Sequence, residues 1–450
     1  MIDSRIETVR YDNGEMQRYQ IVSGVAWNDL EFVQAPFNED TFSEMCRIYE
    51  RFVVPKHSFL YGIFLLFHIP EGMESPYPYE GDFGVLFDKQ LAAAEGLRKL
   101  VREGKIRNEN RALVVDDPVA KAFIDKLEAS GWLHTYCGDR SGEVNIMPFG
   151  EDLGYLSTLN PVPQMACNAH FFEMDVFDGD SPYDVFGSPY GMTVKNGIMS
   201  LPPVNLREAF VVDMDGRPSI IRPDIRDIPV VIQGKTFIHG KNCTIYRRPE
   251  TRITPAESGL DVVVTGEDVI AFHEGGCARI PAAGFVLHTE EKLEKVPSPV
   301  QYLGLEKYLF AVQVGSSVVK DGKVMDHFES SFYDYEKDPV PYPPTLYPLD
   351  YSKSRAPRMA ICSDADGDPA IVWAEGKSKL RYDFGKESCG ASLLELGEFC
   401  HSIGMVNALN LDGGGSSEVF IGGKLQMHVS GRKDDNSDAE RPVPMGLMIR

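Results

Sequence analysis

From about residue 155 to its last residue, this chain repeats one device: a short apolar run, a glycine turn with Asp-Gly and Gly-Gly pairs among its forms, and another apolar run. It recurs in AFVVDMDGRPSII (209–221), VVIQGKTFIHGKNCTIYRR (230–248), LDVVVTGEDVIAFHEG (260–275), RMAICSDADGDPAIVWAEG (358–376) and SSEVFIGGKLQMHV (416–429). Glycine supplies the positive φ that tight hairpin turns require, so each segment predicts antiparallel strands. A chain punctuated this way builds antiparallel sheets rather than βαβ units. The expected fold class is α+β: a strand-rich catalytic domain with few helices over 151–450, preceded by an N-terminal mixed α/β accessory domain over 1–150.

The accessory domain is expected because the texture of the first third differs. DKQLAAAEGLRKLVREG (88–104) has an N-cap aspartate, apolar residues Leu91, Ala94, Leu97 and Val101 at helical spacing, and Gly104 as a stop. Asp117 and Pro118 open a second helix with one apolar stripe, Val119, Phe123, Ile124 and Leu127, and Gly131 past its end. No constellation of catalytic residue types occurs in 1–150. At 450 residues the chain exceeds one typical domain of roughly 100–200 residues, which fits two.

One helix is predicted within the strand-rich part. Ser392 and Glu395 make a capping box, Leu393, Leu396, Phe399, Cys400 and Ile403 line one face, and Gly404 ends it. The strand MVNALNL follows, then DGGGSS, then another strand. Three adjacent glycines are costly, each giving up roughly 0.5–1 kcal/mol relative to alanine in regular structure. Their backbone must therefore be approached closely. Amides of Gly413, Gly414 and Gly415 that converge on an oxyanion, with the Ser416 and Ser417 hydroxyls as further donors, would form a phosphate cradle. Asp412, just before it, would serve as base, nucleophile or cation stabiliser. A glycine-rich bulge with a turn-capping aspartate has the same sequence.

Other chemistries fail on spacing. Around Ser416 the chain reads G-G-S-S-E, not the G-x-S-x-G of a nucleophile elbow, and no G-x-x-x-x-G-K-[ST] string occurs. The eight cysteines form no C-x-x-C pair and the ten histidines no H-E-x-x-H pair. SDADGDP (363–369) alternates aspartates like a calcium loop but has Pro369 where glycine is required, which favours a hairpin turn; these acidic loops leave a divalent cation possible as the one cofactor. With 67 acidic against 45 basic residues and a net charge of −22, the chain repels nucleic acid and anionic membrane faces. The start has no leader-type apolar core, which predicts a cytoplasmic protein or a mature form with its leader removed.

Several segments together resemble the phosphodiester glycosidase family. NALNLDGGGSSEVF (407–420), followed by ERPVPMGLMI (440–449), resembles its C-terminal signature. Upstream, ACNAHFF (166–172), RIPAAGFVLH (279–288), VQVGSSVVKDGKV (312–324) and PRMAICSDADG (357–367) resemble four further family segments in order. The chain differs from the family pattern at His170, where glycine is usual, at Ser316 and Ser317, where Gly-Pro is usual, and at Met359, where threonine or serine is common.

The resemblance implies hydrolysis of the bond between a sugar's anomeric carbon and a phosphodiester oxygen, releasing free sugar and a phosphate monoester. It implies that Arg358 and Arg441 hold phosphate oxygens together with the glycine-turn amides. Asp412 would face the developing oxocarbenium ion, forming a glycosyl-enzyme or activating water, and Asn168 would hold a sugar hydroxyl or acetamido group. His170 joins Asp412 and Asn168 as a candidate catalytic residue. The implied partner is a small-molecule or polysaccharide glycosyl phosphodiester. The alternative is a non-catalytic sugar-phosphate or polysaccharide binding protein.

Overall fold

A computed structural model describes residues 2–36, 57–60, 63–66, 99–100, 103–105, 107–109, 112–114, 116–129, 146–148, 153–173, 183, 187–203, 207–248, 251, 253–328, 355–378, 382–433 and 435–450. Seven antiparallel strands form its central sheet, in the order Asp3–Arg10, Met16–Ser23, Pro369–Ala374, Arg358–Asp364, Met405–Asn410, Ser317–Lys320, Lys323–Val324. The two-residue period sorts its faces. Ala360, Cys362, Val372 and Ala408 pack against the helix Leu393–Ser402 through Leu393, Leu396 and Cys400. Met359, Ile361, Ile371, Trp373 and Leu409 turn the other way.

That second face meets a five-stranded sheet ordered Lys424–Leu425, Val419–Ile421, Met165–Asn168, Gly446–Ile449, Leu30–Val33. Its Met165, Cys167, Val419, Leu447 and Ile449 join the same core, as do Phe210, Val212, Phe310 and Val312 from another five-stranded sheet. A further seven-stranded sheet over residues 230–302 builds its own core around Val262, Val264, Phe285 and Leu287. The hairpins expected from the sequence are present: 209–213 pairs with 218–221, 260–265 with 268–274, and 358–364 with 369–374. The capping box is also present, Ser392 accepting from the Glu395 amide while the Glu395 carboxylate accepts from the Ser392 amide at 2.9 Å.

The acidic loops cap turns. Asp364 Oδ1 accepts from the amides of Asp366 and Asp368 at 3.0 and 2.9 Å, and Asp213 does the same for Asp215 and Arg217. Among the described residues no group of three or more His, Cys, Asp and Glu side chains is placed to hold a metal ion, and no helix is long and apolar enough to cross a membrane.

The N-terminal region departs from the expectation of one accessory domain starting at residue 1. Strand Met16–Ser23 is paired on one side with Pro369–Ala374, and Leu30–Val33 is paired with Gly446–Ile449, so the first 33 residues complete the two sheets of the later region. The chain then leaves and returns at one point. A Cβ built on Gly154 would lie 2.3 Å from the Ala35 carbonyl oxygen, and Gly154 exchanges both backbone hydrogen bonds with Val443 at 2.9 and 3.1 Å. The strands described between these points, 57–60, 63–66 and 146–148 in one sheet and 107–109 with 112–114 in another, pair only with one another among the described residues. The helix expected after Asp117 spans Pro118–Ala129, with Asp117 Oδ1 accepting from the amides of Val119 and Ala120. Most of the helix expected from Asp88, and Gly131, lie outside the described residues.

This layout predicts opposite outcomes for two deletions. Replacing residues 38–151 by a short Gly-Ser linker should leave a cooperatively folding chain, because the ends it joins already touch. Removing residues 1–150 should abolish cooperative thermal unfolding, because it strips Tyr19, Ile21, Val22 and Leu30 from the cores, each worth about 1.5–3 kcal/mol. Circular dichroism melts of both chains decide; a folded 151–450 fragment would contradict the pairing.

Candidate active site

Asp412 lies two residues beyond the strand Met405–Asn410, where the chain crosses between sheets. Leu411 still donates its amide to the Met359 carbonyl of the central sheet, but the Asp412 amide donates to Ala169, just past the end of Met165–Asn168, at 2.8 Å. The Asn168 carboxamide closes the turn that follows. Its Nδ2 donates to the Asp412 carbonyl at 2.7 Å, and its Oδ1 accepts from the Glu418 amide at 3.2 Å. Both ends of Asn168 are thus engaged within the protein. It positions the 412–418 turn, a role besides the sugar contact that the family resemblance implies for it.

The three glycines answer to three separate constraints. At Gly413 a Cβ would meet the Pro357 carbonyl oxygen at 2.8 Å. Gly414 has φ +60°, a conformation costing other residues about 1–3 kcal/mol, and open space where a Cβ would go. At Gly415 the Arg441 guanidinium occupies the space where a Cβ would go, its Cζ 2.6 Å and its Nε 2.9 Å from that position. Two of the three glycine amides expected in a phosphate cradle are engaged within the protein. Gly413 donates to its neighbour's Asp412 Oδ1 at 2.8 Å, Gly414 to Pro357 at 3.0 Å, Ser416 to Gly413 at 3.2 Å and Ser417 to Gly414 at 3.3 Å. What the glycines admit is an arginine.

Electrostatics single out the carboxyls around that arginine. Asp412 is buried, and burial pushes its carboxyl up to about 7 against the opposing pull of the Ser416 hydroxyl, the Arg441 charge and the Gly413 amide. Among the described residues, its Oδ2 and the buried Ser416 and Ser417 hydroxyl oxygens have no partner at normal hydrogen-bond geometry, although Ser416 lies close enough to lower the Asp412 carboxyl. Glu418, which sequence reasoning did not single out, is fully buried, with both carboxyl oxygens in the same condition. Burial first, and then neighbouring Glu440, hold it far above the usual carboxylate range, with Arg441 opposing. The signal available in the sequence was an acidic residue at the start of an otherwise apolar strand, S-E-V-F-I.

Of the other expected residues, Arg358 is buried and donates its Nε to the Ala391 carbonyl at 3.0 Å, with its Cδ 3.8 Å from a built Gly413 Cβ. It therefore lies against the turn and ties it to the residues before the Leu393–Ser402 helix. His170 follows Ala169, whose carbonyl holds Asp412. It is buried, its ring 6.0 Å from that of Phe32, and burial lowers it to about 4, so the imidazole is neutral near pH 7. A hydrogen bond with the Met192 backbone opposes that shift. The site thus unites a carboxyl poised near neutrality, a cation and buried hydroxyl donors, the groups needed to bind an anion and to act on an adjacent electrophilic centre.

A family model for phosphodiester glycosidases matches residues 226–450. The mouse and human N-acetylglucosamine-1-phosphodiester alpha-N-acetylglucosaminidases are 34% and 35% identical to this chain over 79 residues, which is 18% of this chain and spans only 14% of those relatives' length. Among solved structures, a hypothetical protein from Synechocystis aligns at 14% identity and TM-score 0.45, over all of this chain and 62% of that one. The catalytic domain of the zebrafish enzyme of that name, auto-inhibited by its pro-peptide, aligns at 10% identity and TM-score 0.39, over all of this chain and 83% of that one. With the Asp-Gly-Gly-Gly-Ser-Ser turn and its arginine inside the matched half, the chain belongs to the phosphodiester glycosidase family.

Proposed function

We propose that this protein hydrolyses a glycosyl-1-phosphodiester at the sugar C1–O bond, releasing free sugar and a phosphate monoester. The observation that carries the reading is Asp412: a buried carboxyl, fixed through its backbone by Ala169 and Asn168, and raised to about 7 beside the Arg441 cation. A phosphate monoester leaves as a stable anion, so the reaction asks little of an acid catalyst and much of charge placement. Arg441, laid on Gly415, would hold the phosphate oxygens. The Ser416 and Ser417 hydroxyls, buried beside Asp412, would donate to the same ligand. Ionised Asp412 would face the oxocarbenium-like carbon, and an apparent pKa near the working pH suits a general base that activates water.

The test is sugar release from a panel of glycosyl phosphodiesters, including UDP-N-acetylglucosamine, with and without chelator. Wild-type protein should release reducing sugar from at least one of them, with kcat/KM rising with pH through about 7 as Asp412 ionises. Asp412→Asn keeps the acceptor for the Gly413 amide and should lower kcat by about 10²–10⁴. No release from any phosphodiester, with heat protection by the same compounds, would favour the binding protein instead.

The same variant makes a stability prediction of definite sign. A carboxyl raised in the folded state favours folding fully below its unfolded value of 3.8, and that contribution is lost as pH rises through about 7. Asp412→Asn should therefore melt higher than wild type at pH 8, with the difference shrinking toward pH 4. Gly415→Ala should act through Arg441: its methyl occupies the guanidinium's place, and KM should rise roughly tenfold or more, the scale of a lost charge-assisted bond, with a smaller change in kcat. Steady-state kinetics on the substrate found in the panel read both parameters.

A further inference from the structure

Among the described residues the longest strand at the edge of any sheet is the first, Asp3–Arg10, which ends the central sheet and pairs on one side only, with Met16–Ser23. Its residues are exposed apart from the half-buried Glu7 and Val9. Such an edge offers a row of unused N–H and C=O groups to another chain. Strand alternation identifies the residues that supply the row. Arg18 turns its backbone toward the Pro369–Ala374 side, its amide donating to Ser388 Oγ at 3.1 Å and its carbonyl accepting from the Glu375 amide at 3.1 Å. Gln17, Tyr19 and Ile21 therefore turn theirs toward Val9, Glu7 and Arg5, their partners in register. The backbone groups of Ser4, Ile6 and Thr8 are left to point out from the edge of the sheet.

This alternation restricts what a second strand can do there. Opposite residues in an antiparallel pair either both exchange hydrogen bonds or both do not, so a copy of the same strand can set only Ser4, Ile6, Thr8 or Arg10 against one another. Ile6 placed on Ile6 puts Ser4 opposite Thr8, and Arg5 opposite the partner's Glu7. Sliding the copy by two residues either way sets Arg5 against Arg5 or Glu7 against Glu7, and sliding it farther shortens the overlap. Within one strand Arg5 Nε already donates to Glu7 Oε1 at 3.0 Å, so the Ile6 register completes a square of alternating charges. On the opposite face the two Ile6 side chains, each 49% exposed in the single chain, cover one another.

We propose that a second copy of this chain occupies this edge, its Asp3–Arg10 strand antiparallel to the first about a two-fold axis at Ile6, which joins two central sheets into one. The net charge of −22 on each copy opposes the approach, but at physiological ionic strength charges more than about 8 Å apart are largely screened, whereas Arg5 and Glu7 would meet at contact distance. Nothing in this pairing depends on the reading of Asp412.

Sedimentation velocity on the full-length protein, from micromolar to submillimolar concentration at physiological ionic strength, tests it. The wild type should pass from monomer to dimer as concentration rises. Arg5→Glu and Glu7→Arg should each weaken association about tenfold or more, because the two-fold axis applies every like-charge contact twice. The double variant restores opposite charges and should recover the dimer. Ile6→Pro should abolish it, since it removes an N–H that the pairing within one chain does not use. Circular dichroism melts of the charge variants should match the wild type, because both side chains are exposed. The proposal is overturned by a wild type that stays monomeric throughout, by a dimer that survives the single charge changes or Ile6→Pro, or by a double variant that associates as weakly as the single ones.

Discussion

The two hydrogen bonds of the Asn168 carboxamide are the constraint on which the site depends. One reaches the Asp412 carbonyl and the other the Glu418 amide, so a single buried side chain holds both ends of the glycine turn against the strand Met165–Asn168. With its ends fixed, the turn has little slack: Gly413 is pressed against Pro357 and Gly415 against Arg441, while Gly414 between them takes a positive φ of +60°. Asp412 is thereby carried into a buried position where the desolvation of its charge outweighs the Ser416 hydroxyl, the Arg441 charge and the Gly413 amide together, which is why its carboxyl is pushed up to about 7. Backbone geometry, burial and acidity are one chain of cause in this site.

The surrounding sheets make that geometry rigid. The turn bridges the central sheet, through Met359 and Pro357, and the five-stranded sheet, through Ala169. Both sheets need strands from the first 33 residues to be complete, Met16–Ser23 beside Pro369–Ala374 and Leu30–Val33 beside Gly446–Ile449. The N-terminus is therefore structural support for the site although it contributes none of the groups around Asp412. Ala35 and Gly154, which flank residues 36–153, lie against each other, and Gly154 is hydrogen-bonded to Val443, two residues beyond Arg441.

Local features were legible in the sequence because local physics decides them. Glycine turns flanked by alternating apolar residues became hairpins, and Met359 and Ile361 separated from Ala360 and Cys362 as a two-residue period requires. The Ser392–Glu395 capping box needed only four residues to be read. Asp412 and Arg441 could be named from their motifs. What could not be read was set by partners far away in the chain. Nothing in MQRYQIVS announces pairing with a strand some 350 residues later, so the N-terminal strands were assigned to the wrong unit. The glycines looked like an amide cradle, but the Gly413 amide is spent on Asp412 and that of Gly414 on Pro357, and the space beside Gly415 is filled by an arginine from beyond residue 440. Glu418 was not singled out, because the burial and the neighbouring Glu440 that raise its carboxyl come from the tertiary fold.

The central claim is that the fold itself holds Asp412 protonated until near-neutral pH, ready to ionise beside a cation. The most direct measurement is the titration of that carboxyl, by carbon-13 NMR of aspartate-labelled protein with Asp412→Asn used to assign the resonance. A midpoint of about 7 is the result this account predicts. A midpoint near 3.8, the ordinary value for aspartate, would show that Asp412 is solvated or paired in a way that contradicts the buried turn described here.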